Sequence, residues 1–226
     1  MKQVLLYALC AVIGYALGCV STGVIVSKLY GRIDIRNYGS GNAGMTNVMR
    51  TLGWVPSFLT FAGDALKGVL GALIGRWIGG ELGMHIGGIC AILGHNWPAL
   101  FRFRGGKGMS TSFGYILVVD WRIALVLLGI QVVVLLITGY MSLASILSAC
   151  AYVGLVFVFH KSWVATGAAI VTCALALFSH RANMKRLAEG NENRLDSRKI
   201  TQVSRKMTKA LRNRRKKHGQ EDADRS

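Results

Sequence analysis

Long apolar runs separated by short polar interludes dominate the chain from Val4 to about position 180. A helix crossing the hydrocarbon core of a bilayer needs about 20 such residues. The runs fall at roughly 4–28, 55–78, 82–100, 108–119, 121–138, 141–159 and 162–180. The pattern predicts an all-α, polytopic transmembrane helical bundle with about seven membrane helices. The run at 108–119 is short for an ordinary span and is expected to cross thinly, tilt within the bundle or re-enter the membrane. Seven crossings is the expected count and five the alternative; either way the termini lie on opposite sides. The first run exceeds the 7–15 apolar residues of a typical signal-peptide core, so it is read as a membrane helix.

Composition sharpens this picture. Hydrophobic residues make up 52% and charged residues 16%, with a mean hydropathy of +0.42, where a soluble domain carries about a quarter charged residues. From Arg181 onward lie 15 of the 27 basic and 6 of the 10 acidic side chains. Residues 1–180, with only 12 basic and 4 acidic side chains, therefore read as a membrane domain. A net charge of +17 suggests nucleic acid at first sight, but +9 of it sits in the tail from Arg181. A juxtamembrane segment of that kind suits anionic lipid instead. Cys10, Cys19, Cys90, Cys150 and Cys173 lie in apolar runs without CxxC spacing, which points to packing rather than to disulfides or metal.

Basic residues also orient the bundle. Lys28, Arg32, Arg36 and Arg50 fall in the first loop, and Arg102, Arg104 and Lys107 in the third. The second, fourth and sixth connections carry one each, Arg76, Arg122 and Lys161. The N-terminus is thus expected outside, with the first loop, third loop and C-terminus in the cytosol. Gly14 and Gly18, like Gly71 and Gly75, are spaced for close helix packing.

Three polar segments then fall on one membrane face. The first runs from Tyr38 to Arg50 and contains Ser40, Gly41, Asn42, Gly44, Thr46 and Asn47. Its glycines let backbone amides turn toward an anion, and Arg50 offers a rigid fork for phosphate, although a plain polar loop capping the next helix has the same composition. The second runs from Gly94 and His95 to Gly105, Gly106, Lys107 and Gly108, leading into an apolar helix whose N-terminus can face a phosphate. It is not a nucleotide P-loop, since Phe101 and Gly108 occupy the positions that motif gives to Gly and Ser or Thr. The positive-inside bias explains Arg102 and Arg104 but not the glycines around Lys107. The third runs from His180 to Glu192, with His180 and Asn183 one helical turn apart. Glu192, past Gly190, is expected to pair with a loop arginine as a strut. Asp64 and Lys67, one turn apart in the second apolar run, read best as a mutual ion pair, with Lys67 near the substrate as the weaker option.

These segments closely resemble the bacterial acyl-phosphate-dependent glycerol-3-phosphate acyltransferase (PlsY) family. Ser-Gly-Asn-x-Gly-x-Thr-Asn and a following Arg are met by Ser40 to Arg50; Gly-His-x-x-Pro by Gly94, His95 and Pro98; Gly-Gly-Lys-Gly by Gly105 to Gly108. The last motif is met by His180, Asn183, Arg186, Leu187, Gly190 and Glu192. Arg104 stands where lysine is common, and the tail after about Arg194 has no counterpart, so the resemblance implies a membrane-embedded acyltransferase domain over 1–195 and a basic, flexible, cytosolic tail over 196–226. The resemblance implies seven helices, a cytosolic site in the bacterial inner membrane, and acyl transfer from acyl phosphate to the 1-hydroxyl of glycerol 3-phosphate, giving lysophosphatidate and phosphate without metal or cofactor.

On that basis Gly105 to Gly108 with Lys107 are expected to hold glycerol 3-phosphate, and Ser40 and Arg50 the acyl phosphate. His180 and Asn183 orient the hydroxyl, with either His180 or the leaving phosphate as base. Gly41, Asn42, Gly44, Thr46, Asn47, His95 and Lys67 complete the binding set. Membrane lipid and both substrates are the expected partners, with the acyl-phosphate-producing enzyme as a further contact and no nucleic acid; a monomer is expected. An acyl-CoA enzyme of the other glycerolipid class is disfavoured because no His-x-x-x-x-Asp occurs. The rival from another class is a transporter or channel for a phosphorylated solute, but that places polar groups at the midplane between repeats, and no duplication is visible.

Overall fold

A computed structural model describes residues 1–207 and 209, and all regular structure among them is helical. Helix α1 (Lys2–Gly18) and α2 (Thr22–Gly31) divide the first apolar run, and the short α3 (Met45–Leu52) follows the first polar segment. Then come α4 (Trp54–Asn96), α5 (Met109–Val119), α6 (Trp121–Thr138), α7 (Met141–His160), α8 (Trp163–Ser179) and α9 (Arg181–Ala188). Local chemistry sets several boundaries. The Asp120 and Ser162 side chains accept backbone N–H bonds at the starts of α6 and α8, and Gly139 takes the left-handed conformation that ends α6.

Among the described residues, four stretches are long and apolar enough to cross a membrane: Lys2–Gly31, Trp54–Phe101, Trp121–Thr138 and Met141–His160. A fifth is added if α8 and α9, bent by 60°, count together, while α5 is shorter. Helix α4 is more than one straight rod. Gly79 and Gly80 leave helical geometry, Gly80 at φ +64°, and the two limbs fold back antiparallel. A Cβ at Gly75 would lie 2.1 Å from the Gly83 carbonyl oxygen, and one at Gly71 2.9 Å from that of Gly87. Helix α1 packs on the second limb in the same way, Gly14 against Gly87 and Gly18 against Ala91. Backbone thus meets backbone, which only residues without side chains allow. Tyr115, Tyr152, Ile123, Val156 and Ala169 fill the core on the α5 to α8 side. Leu136, Ile137, Phe159 and Trp163 remain exposed, as expected of a surface solvated by lipid.

Two departures from the sequence pattern have physical causes. The first run is broken at Cys19 to Ser21, and the carbonyls released there are not wasted: Lys67 Nζ donates to Gly18 O at 3.1 Å and Val20 O at 2.9 Å. The tail expected to be flexible from 196 instead forms a helix over 197–207 that docks on the bundle, with Ile200 buried. Within that tail, 208 and 210–226 lie outside the described residues.

Candidate active site

Where the three polar segments meet, a cavity of about 270 Å³ opens. Its polar end is bordered by Ser40, Asn42, Gly44, Thr46, Asn47, Arg50, His95, Lys107, Gly108, His180, Asn183 and Glu192, all expected from the sequence. Asp64, Arg186 and Asn193 join them. The other end is apolar, with Phe61, Met109, Phe113, Leu128, Val132 and Leu135 along the wall. A smaller cavity of about 40 Å³ shares Met109, Phe113 and Leu128 and continues to Tyr152 and Cys173.

The first segment is folded by one side chain. Asn47 Nδ2 donates to the carbonyls of Ile35, Tyr38 and Asn42, and its Oδ1 accepts from the Ser40 amide at 2.9 Å. Its polar atoms are thus committed to shaping the loop, and Asn47 positions Ser40 rather than offering a free contact. Gly41 donates its amide to Tyr38 O and does not border the cavity. The result brings the first residues of α3, Met45 and Thr46, to the cavity, as Met109 and Ser110 do for α5. Each helix start adds partial positive charge there.

The second segment is held for a reason not visible in its composition. The Gly106 amide donates to His95 O at 3.1 Å, so it does not face the cavity. A Cβ on Gly105 would lie 2.0 Å from that carbonyl oxygen, and one on Gly106 2.1 Å from His95 Nε2. These glycines therefore let the loop lie against His95, and neither borders the cavity. His95 Nδ1 in turn lies 3.4 Å from Asp64 Oδ1, which also takes Lys67 Nζ at 2.9 Å. Lys67, expected near the substrate, is absent from the cavity wall because its donors go to Asp64, Gly18 and Val20.

What this scaffolding presents is a connected set of charges. Lys107 Nζ donates to Asn183 Oδ1, and Asn183 Nδ2 donates to Glu192 Oε1 at 2.8 Å. Arg186 Nε donates to Glu192 Oε2 at 2.8 Å, and Arg50 Nη2 to Asn193 O at 3.1 Å. Glu192 is the expected strut, but its arginine is Arg186 on α9 rather than a loop residue. Burial opposes ionisation of Glu192, yet hydrogen bonds from Asn183 and Arg186 and the charge of Arg186 outweigh it and hold the carboxyl below its ordinary range. Lys107 is pushed down to about 8 by burial, with Arg186 and Arg50 acting in the same direction and Glu192 against them.

His180 caps α8 and starts α9, so it and Asn183 share the cavity without sharing a continuous helix. Its Nδ1 lies 2.8 Å from Ala176 O, an acceptor only, which places the proton on Nδ1 and leaves Nε2 with its lone pair. Burial first, then the charge of Lys107, push it down to about 4. Arg186 and Asn193 were not singled out from the sequence as site residues. The spacing of Arg186, one turn beyond Asn183 on α9, was the available signal; Asn193 carried none.

A cavity with Arg50, Lys107 and Arg186 against the Glu192 carboxylate suits phosphate-bearing ligands, and its apolar wall suits a hydrocarbon chain. No group of three or more His, Cys, Asp or Glu among the described residues is arranged to hold a metal ion.

Comparison with known proteins agrees with this geometry. A family model described as glycerol-3-phosphate acyltransferase matches residues 8–190. A glycerol-3-phosphate acyltransferase of Thermoanaerobacter pseudethanolicus is 44% identical over 187 residues, covering 83% of this chain and 94% of that one. One from Clostridioides difficile is 40% identical over 204 residues, covering 87% and 99%. Two crystal structures of PlsY (YgiH), an integral membrane glycerol 3-phosphate acyltransferase, superpose well. The glycerol 3-phosphate form gives a TM-score of 0.81 at 35% identity, and the lysophosphatidic acid form 0.79 at 34%; each covers 86% of this chain and 98% of the other.

Proposed function

Because the chain belongs to the glycerol-3-phosphate acyltransferase family and acylates glycerol 3-phosphate, we propose that its acyl donor is an acyl phosphate. The supporting observation is the cavity itself, in which three cations and two helix starts adjoin one apolar wall. Both substrates then carry phosphate, and only the donor carries a chain. Lys107 binds the phosphate of glycerol 3-phosphate with Asn183 beside it. Arg50, Ser40 and the start of α3 hold the acyl phosphate and stabilise charge on the carbonyl oxygen as it is attacked. The acyl chain lies along α5 and α6, continuing toward the second cavity.

The 1-hydroxyl oxygen forms the new bond to the acyl carbon, and the bond from that carbon to the phosphate oxygen breaks. The hydroxyl proton goes to the departing phosphate. His180 accepts a hydrogen bond at Nε2 and orients the hydroxyl, but a group held near 4 is a weak base at neutral pH. Catalysis is then chiefly positioning and charge stabilisation. An acyl phosphate is a mixed carboxylic–phosphoric anhydride, already activated for acyl transfer, so the reaction requires neither metal nor cofactor.

The same reading extends to topology. Helix α1, the two limbs of α4, and α5, α6, α7 and α8 form seven membrane helices, with the N-terminus outside. The site then faces the cytosol from the bacterial inner membrane, accessible to the enzyme that makes acyl phosphate. The protein acts as a monomer.

Purified protein given labelled glycerol 3-phosphate is expected to form lysophosphatidate with palmitoyl phosphate and none with palmitoyl-CoA. Product from the CoA donor alone would overturn the donor assignment. The pH profile is a second test. Lys107 binds phosphate only when charged, and its folded value of about 8 lies below the usual lysine range. Therefore kcat/KM for glycerol 3-phosphate should fall about tenfold per unit as pH rises beyond 8. His180 stays neutral from pH 5 upward, so any limb near pH 6 belongs to substrate phosphate and persists in His180→Ala. A kcat/KM still rising at pH 9 would remove Lys107 from phosphate binding.

A further inference from the structure

Beyond the residues matched by the family model, 8–190, the chain runs across the mouth of the site and then docks. Asn193 O accepts Arg50, Arg194 stacks on Tyr140 with its guanidinium carbon 5.1 Å from the ring centre, and the Leu195 amide donates to Gly139 O. A helix then occupies 197–207, begun by Asp196, whose Oδ1 accepts the amides of Arg198 and Lys199. Ile200, Val203, Ser204 and Met207 recur at three- and four-residue spacing and are the less exposed positions of this helix. Ile200 is 2% exposed, and Met207 packs on a cluster that includes Val24, Val48 and Leu52.

The opposite face is basic. Arg198, Lys199, Arg205 and Lys206 are all exposed, and at 3.6 residues per turn they fall within an arc of about 120°. Lys199 lies 3.9 Å from the exposed Asp196, which leaves the face strongly positive. Its position matters as much as its charge. Ser204 abuts Gly53 and lies 3.5 Å from the amide of Trp54, the first residue of the membrane-crossing α4. Trp54 is exposed, as are Leu29 and Lys28 at the end of α2 on the same side. An exposed tryptophan at the start of a span marks the headgroup level. The helix is therefore pinned by its apolar face to protein and holds four cations beside the bilayer surface.

We infer that helix 197–207 is a docking surface for anionic phospholipid headgroups. The positive-inside bias alone accounts for basic residues in this segment, but not for their confinement to one face of a helix anchored at headgroup depth. Each basic residue near an anionic leaflet contributes roughly fivefold in affinity, so four acting together hold the helix firmly. That anchorage extends through Asn193 and Glu192 to Arg50 and Arg186, which makes the surface a neighbour of the site without belonging to it.

Hydrogen exchange of full-length protein in lipid nanodiscs tests this directly. Amides of 197–207 should exchange at least tenfold more slowly in discs containing one-third phosphatidylglycerol than in pure phosphatidylcholine, and 0.5 M salt should remove the difference. The variant Arg198→Gln/Lys199→Gln/Arg205→Gln/Lys206→Gln should show no slowing while its acyltransferase activity in phosphatidylcholine discs is unchanged. Equal exchange in both lipids, or slowing retained in the variant, overturns the inference. So does protection given by a single-stranded oligonucleotide in phosphatidylcholine discs but not by phosphatidylglycerol, which would assign the face to nucleic acid.

Discussion

Lys107→Met is expected to lower kcat/KM for glycerol 3-phosphate by about 10³-fold while leaving the melting temperature within a few degrees of the parent. A charge-assisted hydrogen bond to phosphate is worth about 1.5–3 kcal/mol, and loss of one charge-stabilising donor in a closed site costs roughly 2.7–4 kcal/mol. Two further features push toward the upper end. Lys107 is half-buried, so water replaces it poorly, and Asn183 Oδ1 loses its donor. Because Asn183 is also tied to Glu192, and Glu192 to Arg186, the substitution loosens one end of a chain of four side chains. Steady-state kinetics with both substrates varied is the measurement. A loss below tenfold would mean that Arg50 and Arg186 suffice for phosphate.

Asp64→Asn carries the largest expected effect on stability, about 3–5 kcal/mol, because it strands the buried Lys67 ammonium without a counter-charge. Asp64 is 1% exposed and Lys67 4%, so water cannot compensate for either. The double variant Asp64→Asn/Lys67→Met removes both charges and should recover most of the loss. If the pair mattered only for catalysis, the single variant would melt like the parent. Activity should fall in both variants, since Asp64 also orients His95, against which Gly105 and Gly106 lie. Thermal unfolding in detergent, followed beside turnover, separates the two consequences.

These two residues show what is legible in a sequence of this kind and what is not. The run at 121–138 coincides with α6, and 108–119 differs from α5 by one residue, because in lipid hydrophobic length itself defines the helix. The polar segments were identifiable for the complementary reason, as interruptions that a membrane tolerates only at an edge or a site. The ion pair of Asp64 and Lys67 was visible from one-turn spacing. Its third member, His95, was not, since it lies on the other limb of the α4 hairpin and only tertiary folding joins them. The glycines at 105 and 106 illustrate the harder problem. Gly next to Lys suggests an amide cradle, whereas the contact that requires these glycines is with His95, ten and eleven positions away. Asn47 misleads similarly, because an asparagine in a motif looks like a ligand group until its bonds are traced to the loop around it. The docking of 197–207 depends on a surface built from Val24, Ile35, Val48 and Leu52, dispersed along the chain.

The glycine contacts of α1 and the α4 limbs have a kinetic consequence. Helices that touch backbone to backbone, as at Gly14 and Gly87, Gly75 and Gly83, Gly68 and Thr111, or Gly114 and Ala65, have no side chains to rotate out of the way. That block of α1, α4 and α5 can shift only as a unit. Across the cavity, a Cβ added to Gly129 in α6 or Gly154 in α7 would meet no neighbouring atom within 4 Å, and the left-handed Gly139 turn between these helices is held by the Leu195 amide on its carbonyl. The backbone-to-backbone contacts are thus gathered on one side of the cavity, among α1, α4 and α5.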